Sequence, residues 1–196
     1  MKGNIINMRI ISGKARGTKL YTLDGTATRP TLDRVKESLF NIIQNDIEDS
    51  TVLDLFSGSG AIGLEFASRG AKKVYLCDKS KDACKIIKKN IEKTHLEEKV
   101  ELLNMDFIKA INEIKRKQID IVYLDPPYKT DFIKMAIQEL IKTNLLTEDT
   151  LIIAETDEEE RITKQIENFK EIEIIDKRKY GRAHIIFLKK MNGKEE

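Results

Sequence analysis

From residue 51 onward, short apolar runs alternate with longer segments in which apolar residues recur every three or four positions. The first pattern is typical of buried strands and the second of helices packed on one face. The strand-like runs are residues 51–56, 73–77, 100–104, 119–124 and 150–155, and the helical patterns lie near residues 60–69, 80–93, 107–116 and 131–143. Ser80 is expected to cap the second of these helices. This alternation predicts an α/β fold, a parallel sheet covered by helices on both faces.

The two ends of the chain have other patterns. Residues 9–24 predict a short hairpin arm, with Gly13 and Gly17 at turns or close approaches. A helix is expected to begin at Thr31, after Arg29-Pro30, and its buried face is predicted to contain Leu32, Val35, Leu39, Ile42 and Ile43. Near the carboxyl end, residues 172–176 and 183–188 flank a basic segment that contains Gly181, and predict an antiparallel hairpin. We therefore divide the chain into a basic arm, residues 1–30, and an α/β domain, residues 31–196.

The tetrad Asp125-Pro126-Pro127-Tyr128 directly follows the fourth strand-like run. Two prolines end that strand, because neither can donate a backbone hydrogen bond to a sheet. The tetrad is thus expected at the carboxyl end of a strand, where open α/β sheets bind their ligands. A carboxylate, a free proline carbonyl and an aromatic ring suit a flat base with an exocyclic amino group. We predict that Asp125, Pro126 and Tyr128 form the catalytic site of an enzyme that modifies a nucleobase.

A glycine-rich turn follows the first strand-like run, where residues 58–63 match the pattern G-x-G-x-x-G. The pattern alone is compatible with a dinucleotide such as NAD. Asp54, four residues before Gly58, would repel a pyrophosphate but suits the ammonium of a methionine moiety, so S-adenosyl-L-methionine is the favoured cofactor. Asp78 would accept hydrogen bonds from a ribose. The candidate cofactor-binding residues are Asp54, Phe56, Gly58, Gly60, Asp78, Lys79, Asp106 and Phe107; for Asp106 a role as a helix N-cap is equally compatible with the sequence.

Charge is distributed unevenly along the chain. Residues 1–36 contain eight basic and two acidic side chains, a local balance of +6, although the whole chain has a net charge of only +2. A second basic cluster comprises Lys177, Arg178, Lys179 and Arg182. Basic segments on a mildly acidic body indicate a polyanionic partner. Candidate phosphate contacts are Arg9, Arg16, Arg29 and Arg34; ion pairs with Asp24, Asp33 or Glu37 are the alternative role for each.

Other features of the sequence narrow the class of protein. No apolar run reaches the length of roughly 20 residues that spans a bilayer, and the amino terminus lacks the apolar stretch of a signal peptide, so we expect a cytoplasmic protein without membrane contact. Cys77 and Cys84 match neither a disulfide framework nor a zinc site, and no metal is expected. A monomer is the expected oligomeric state.

In combination, these motifs resemble the bacterial small-subunit rRNA guanine-N2 methyltransferases. The resemblance is carried by residues 8–13, 29–31, 34–41, 54–60 and 125–128, and extends to Tyr180-Gly181. It implies the Rossmann-like class I methyltransferase fold, with a seven-stranded, mostly parallel sheet whose last strand is antiparallel. It also implies S-adenosylmethionine-dependent methylation of one guanine in 16S rRNA, within a small ribosomal subunit. The family usually starts near Met8, so we expect residues 1–7 to be an extension or to reflect an upstream start codon.

Other functions are compatible with some of the same residues. An adenine-N6 methyltransferase of DNA or RNA would use the same tetrad, and no residue separates the two bases on physical grounds. Protein-glutamine methyltransferases typically carry Asn in place of Asp125. A non-catalytic rRNA-binding assembly factor and an NAD-dependent oxidoreductase are the remaining alternatives.

Overall fold

The computed structural model describes residues 8–22, 30–115 and 117–191. Its strands are β1 Thr51–Asp54, β2 Lys73–Cys77, β3 Val100–Leu103, β4 Ile121–Leu124, β5 Leu151–Thr156, β6 Ile172–Tyr180 and β7 Ala183–Lys190. Its helices are α1 Pro30–Ile42, α2 Ala61–Ser68, α3 Lys81–Thr94, α4 Phe107–Ile114, α5 Phe132–Lys142 and α6 Glu159–Ile166. Within the described ranges, none of these helices is long and apolar enough to cross a membrane.

All seven strands form one sheet in the order β3-β2-β1-β4-β5-β7-β6. β1 to β5 are mutually parallel, whereas β7 is antiparallel to both of its neighbours. β1 and β4 therefore lie side by side in the middle, and the chain changes winding direction between them. The carboxyl ends of these two strands mark the switch point at which open α/β sheets bind ligands. The predicted α/β fold class, with seven strands and an antiparallel last strand, is confirmed.

Apolar side chains cover both faces of the sheet. On one face, Val52, Val74 and Tyr123 pack with residues of α1, α2 and α3. On the other, Leu53 and Val122 pack with residues of α4, α5 and α6. The strands at the centre are buried on both sides, which explains why their sequences are nearly continuous apolar runs.

Several predicted boundaries are wrong in detail. Leu55 and Phe56 lie beyond the end of β1, because the chain leaves the sheet there to enter the glycine-rich turn. Ile42 is 43% exposed, since it lies in the last turn of α1 away from the core. Most of the basic segment expected to link the final hairpin is part of β6, which extends to Tyr180, and only Gly181 and Arg182 form the turn. Helix α6, which the sequence analysis did not predict, follows β5.

The described part of the amino-terminal arm, residues 8–22, is a looped segment with one antiparallel bridge, between Arg9 and Lys19. The predicted hairpin is thus correct in direction, and its pairing is shorter than expected in the described residues. Its turn approaches α2 closely: Gly13 has φ +80°, and a Cβ there would lie 1.9 Å from the Ser68 carbonyl oxygen. Only glycine can occupy that position. Residues 1–7 and 23–29 lie outside the described residues, and the division of the chain at residue 30 stays a prediction.

Glu65 of α2 fixes the arm to the domain. This carboxylate is fully buried and accepts hydrogen bonds from the backbone N–H groups of Ile11 at 2.8 Å and Ser12 at 2.9 Å. Arg69 donates to it from the same helix at 2.8 Å, and the ammonium of Lys36, on α1, lies 3.2 Å away. One buried acid therefore joins the arm, α1 and α2 in a charge-assisted network.

Candidate active site

A cavity of about 390 Å³ opens at the carboxyl ends of β1, β2 and β4. Its walls contain most of the residues that the sequence analysis selected. The lining residues are Leu55, Phe56, Gly58, Asp78, Lys79, Phe107, Asp125, Pro126, Pro127, Tyr128 and Phe132. The tetrad and the glycine-rich turn, about 70 residues apart in the sequence, therefore face one space.

The glycine-rich turn forms one side of this cavity. Gly60 has φ +80° and stands at the N-cap position of α2, and its N–H donates to the Ser57 carbonyl at 2.6 Å. This left-handed conformation strains any residue with a side chain, and it turns the chain from β1 directly into the helix. Gly60 is buried behind the cavity surface, whereas Gly58 lines it.

Asp78, just beyond β2, joins the turn to the neighbouring strand. Its Oδ2 accepts a hydrogen bond from the Gly58 N–H at 2.9 Å, and its Oδ1 accepts one from the Ser80 N–H at 2.8 Å. Each carboxylate oxygen retains a second lone pair, and the residue lines the cavity. Asp78 can therefore accept hydrogen bonds from a hydroxylated ligand. The predicted capping role of Ser80 is confirmed, because its hydroxyl accepts from the Ala83 N–H at 3.3 Å.

Asp54 lies beneath the turn and not on the cavity surface. It is 1% exposed, and its carboxylate accepts a long hydrogen bond of 3.4 Å from the Phe56 N–H. Burial raises the pKa of Asp54 to about 7, with a smaller contribution from the charge of Asp78. A cationic group at the turn would favour the ionised form of this acid.

Three phenylalanine rings form the apolar wall. Phe56 and Phe107 have centroids 5.0 Å apart, and Phe132 lies 5.2 Å from Phe107 and parallel to Phe56. The ammonium of Lys79 stands 5.6 Å from the centre of the Phe132 ring. Flat rings of this kind can receive an aromatic heterocycle. Phe132 was not predicted, because one apolar residue at the start of a helix is indistinguishable from a core residue in the sequence.

Asp106 is the N-cap of α4, since its side chain accepts a hydrogen bond from the Ile108 N–H at 3.0 Å. The structure thus bears out the capping role, and Asp106 is not among the residues lining the cavity. The two cysteines nearby are buried and free, as expected. Burial raises the pKa of the Cys77 thiol to about 12, so that it stays protonated.

The tetrad emerges from β4, which lies between β1 and β5 in the centre of the sheet. Burial, together with the charges of Glu155 and Asp54, raises the pKa of Asp125 well above its ordinary value. The Pro127 carbonyl accepts a hydrogen bond from the Thr130 hydroxyl at 2.8 Å. By contrast, no donor in the described part of the chain reaches the Pro126 carbonyl. Asp125 and Pro126 therefore present two acceptors, beside the 54% exposed ring of Tyr128.

The candidate phosphate contacts lie elsewhere on the surface. Arg9, Arg16 and Arg34 are exposed, and none of them lines the cavity. None forms an ion pair with a residue whose side chain the structure describes. Arg29 lies outside the described residues. In the second basic cluster, Lys177 pairs with Glu159 at 2.6 Å and Arg178 with Asp176 at 2.7 Å, so part of that cluster serves the fold itself.

Comparison with known proteins gives a consistent result. The model of a family described as "Conserved hypothetical protein 95" matches residues 8–189. The "Putative rRNA methyltransferase YlbH" of Bacillus subtilis is 33% identical over 185 residues, which cover 93% of this chain and 99% of that protein. The "Ribosomal RNA small subunit methyltransferase D" of Haemophilus influenzae is 39% identical over 156 residues, or 78% of this chain and 80% of that protein.

A solved structure has the same architecture. The "Putative methyltransferase yhhF" of Escherichia coli superposes with a TM-score of 0.76 at 26% sequence identity, and the match covers 94% of this chain and 98% of that one. The residues matched by the family model include the glycine-rich turn, the tetrad and all of the arm that the structure describes. The chain therefore belongs to the same family as these proteins, the small-subunit rRNA methyltransferases.

Proposed function

We propose that this protein transfers a methyl group from S-adenosylmethionine to the exocyclic N2 amino group of a guanine in 16S rRNA, within an assembled or partly assembled small ribosomal subunit. One observation carries the proposal: two free acceptors, Asp125 and the Pro126 carbonyl, border an apolar cavity that also contains Asp78. Family membership supports the same chemistry.

The cavity suits S-adenosylmethionine in each of its parts. Asp78 would accept hydrogen bonds from the ribose hydroxyls, and the wall of Phe56, Phe107 and Phe132 would contact the adenine ring. Asp54, beneath the turn, would stabilise the ammonium of the methionine moiety. When bound, the cofactor supplies an electrophilic methyl group on a sulfonium.

The tetrad would orient the methyl acceptor. An exocyclic amino group is a poor nucleophile, because its lone pair is delocalised into the base. Asp125 and the Pro126 carbonyl would accept its two hydrogens and direct the nitrogen lone pair toward the methyl group. Positioning of this kind, together with stabilisation of the positive charge that grows on nitrogen, accounts for most of the expected acceleration.

The base must leave its own helix or loop to reach this position. Tyr128, half exposed at the mouth of the cavity, would stack on the extruded ring. Burial raises the pKa of the Tyr128 phenol to about 12, so it stays neutral at physiological pH. Asp125 has a raised pKa and can take the proton that the methylated nitrogen releases.

The exposed arginines would hold the rRNA. Arg9, Arg16 and Arg34, with Arg29 of the same basic segment, would contact phosphates. Such contacts determine affinity and its salt dependence more than the choice of base. This role follows from charge and exposure and not from proximity to the cavity.

The test is methyl transfer from radiolabelled S-adenosylmethionine to unmodified small subunits and, in parallel, to free rRNA and DNA, with the product base identified by mass. N2-methylguanine in small subunits is the expected product. N6-methyladenine in any substrate would contradict the proposed base, and label in naked RNA alone would contradict the proposed particle.

A variant connects this activity to the tetrad. Asp125→Ala should bind the cofactor with affinity close to that of the wild type and lose transfer at least about 100-fold, as expected when a group that stabilises the transition state is removed. A D125A protein with near-normal turnover would refute the mechanism. Cofactor binding without transfer to any substrate, in wild type and variant alike, would favour a non-catalytic assembly factor.

A further inference from the structure

Two acidic residues stand side by side at the carboxyl edge of the sheet. β4 and β5 are parallel neighbours, and their paired positions run as far as Leu124 and Ala154. The next residue along each strand is an acid, Asp125 on one and Glu155 on the other. Since neighbouring strands lie about 4.8 Å apart, the two acids are adjacent across the strands.

Both side chains belong to the same face of the sheet. Alternation along β4 places Asp125 on the face of Tyr123. The hydroxyl of Tyr123 donates a 2.5 Å hydrogen bond to Oε2 of Glu155, which places Glu155 on that face as well. The charge of Glu155 is also the largest electrostatic contribution to the raised pKa of Asp125. Glu155 is therefore a second carboxylate beside Asp125, one residue behind the lining of the cavity.

Glu155 has acceptor capacity that the protein does not use. It is 6% exposed, and within the described residues the Tyr123 hydroxyl is the only donor to its carboxylate. Oε1 consequently accepts no hydrogen bond from that part of the chain. A buried carboxylate next to another one is costly unless hydrogen-bond donors compensate for the lost water. The pair thus favours a ligand that brings N–H groups.

Guanine and adenine differ in the donors that they bring. The Watson–Crick edge of guanine carries N1–H next to the two hydrogens of N2. Adenine carries the two hydrogens of N6 next to an N1 lone pair. Once Asp125 and the Pro126 carbonyl accept the two amino hydrogens, the N1–H of guanine still needs an acceptor. Adenine places its N1 lone pair at the corresponding position.

We propose that Glu155 determines the choice of base: its Oε1 accepts the N1–H of the target guanine, whereas adenine would place its N1 lone pair against the same acceptor. This inference rests on the proposed function, and supplies the physical distinction between the two bases that the tetrad alone does not provide. A buried contact of this type contributes roughly 10- to 100-fold to the discrimination between bases.

The first experiment uses the wild-type enzyme. Small subunits are reconstituted with 16S rRNA that carries guanine or 2,6-diaminopurine at the nucleotide that the enzyme methylates. Diaminopurine keeps the 2-amino group but has an N1 lone pair in place of N1–H. We expect transfer to diaminopurine to be at least about 10-fold slower. Equal rates on the two bases would overturn the inference and leave the proposed function intact, whereas no transfer to guanine would overturn both.

The second experiment replaces the acceptor by a donor. In Glu155→Gln, the Tyr123 hydroxyl can donate to the amide oxygen, so that the amide NH₂ faces the base and can donate to N1 of diaminopurine. The ratio of diaminopurine to guanine methylation should then rise at least about 10-fold. Asp157→Asn removes an exposed charge two positions further along the chain and should leave the ratio unchanged.

Measurements of cofactor binding separate a folding defect from altered base selection. An E155Q protein that binds S-adenosylmethionine normally, yet keeps the wild-type ratio, would mean that Glu155 serves only as a partner of Tyr123 in the core. If this variant does not fold, equal wild-type rates on the two bases would still overturn the proposal.

Discussion

The side-chain amide of Asn90 brackets the backbone of Tyr21: Oδ1 accepts from the Tyr21 N–H at 2.7 Å, and Nδ2 donates to the Tyr21 carbonyl at 2.9 Å. Nδ2 also donates to the Ser59 carbonyl, in the glycine-rich turn, at 2.8 Å. Asn90 is fully buried on α3. One residue therefore joins the arm, the proposed rRNA-binding segment, to the glycine-rich turn that borders the proposed cofactor cavity.

Replacement of Asn90 by Ala should lower both the stability of the fold and the affinity for the cofactor. The change leaves three backbone groups without their partner, which should lower the free energy of unfolding by roughly 2 kcal/mol or more. Because the turn loses a support, we expect weaker binding of S-adenosylmethionine as well, measurable by titration calorimetry. Asn168→Ala is the matched control, since Asn168 is exposed and bonds only within its own helical segment.

A conservative variant removes only the donor group of this side chain. Asn90→Asp keeps the acceptor for the Tyr21 N–H but loses the donor to the carbonyls of Tyr21 and Ser59. If the Ser59 contact supports the turn, the Asp variant should also bind the cofactor more weakly. Cofactor affinity equal to that of the wild type in both variants would show that the turn does not depend on Asn90.

Glu65→Ala should destabilise the fold more than other single carboxylate changes in the described chain. Glu65 is fully buried and bonds to two backbone N–H groups and to Arg69. Loss of one partner in a buried ionic network costs roughly 3–5 kcal/mol. Chemical denaturation measures this loss. In the control Glu101→Ala, an exposed pair with Lys73 is removed, and the cost should be about 1 kcal/mol or less. Equal effects would contradict the anchoring role of Glu65.

The features that could be predicted from the sequence obey local rules. Strand and helix alternation follows from apolar periodicity, and the position of the tetrad follows from the inability of proline to continue a strand. The glycine-rich turn follows from the backbone angles that only glycine adopts freely. These rules were sufficient to place Gly58, Asp78, Asp125 and Tyr128 around one cavity.

The residues that could not be predicted depend on contacts between distant segments. Glu65, Asn90 and Glu155 are polar residues inside elements with ordinary amphipathic or apolar patterns. Their partners are 69 positions away for Asn90 and Tyr21, and 32 for Tyr123 and Glu155. Nothing in a local pattern specifies such a partner. Phe132 was not predicted for the same reason, because its place in the cavity wall depends on contacts with rings from two other segments.

Asp54→Asn should stabilise the unliganded protein increasingly as pH rises. Burial raises the pKa of Asp54 to about 7 in the folded state, above its ordinary value of 3.8. At pH values between these two pKa values, the folded protein retains a proton that the unfolded chain has already released. The free energy of unfolding of the wild type therefore falls as the pH rises from the lower value through the higher one. Asn carries no charge, so the advantage of the variant over the wild type should grow by roughly 2 kcal/mol between about pH 5 and pH 8.

Urea denaturation of both proteins at several pH values measures that difference, in which contributions from other titrating groups cancel. Asp149→Asn, at an exposed position, should show no such trend. A difference that stays constant with pH would contradict the raised pKa. The same variant should bind S-adenosylmethionine more weakly, because it lacks the charge that we propose stabilises the ammonium.

Replacement of Arg9, Arg16 or Arg34 by Ala should reduce the salt dependence of binding to the small subunit. Each arginine is exposed, and none forms an ion pair with a side chain that the structure describes. If each contacts one phosphate, the slope of log affinity against log salt should decrease by about 0.7–0.9 per substitution, measured between roughly 50 and 200 mM salt. Lys85→Ala is the control, because Lys85 is also exposed but pairs with Asp82 at 2.8 Å on α3.

Since a phosphate contact does not read the base, maximal transfer at saturating substrate should change little in the three variants. An unchanged slope in all three would assign the rRNA contacts to another surface.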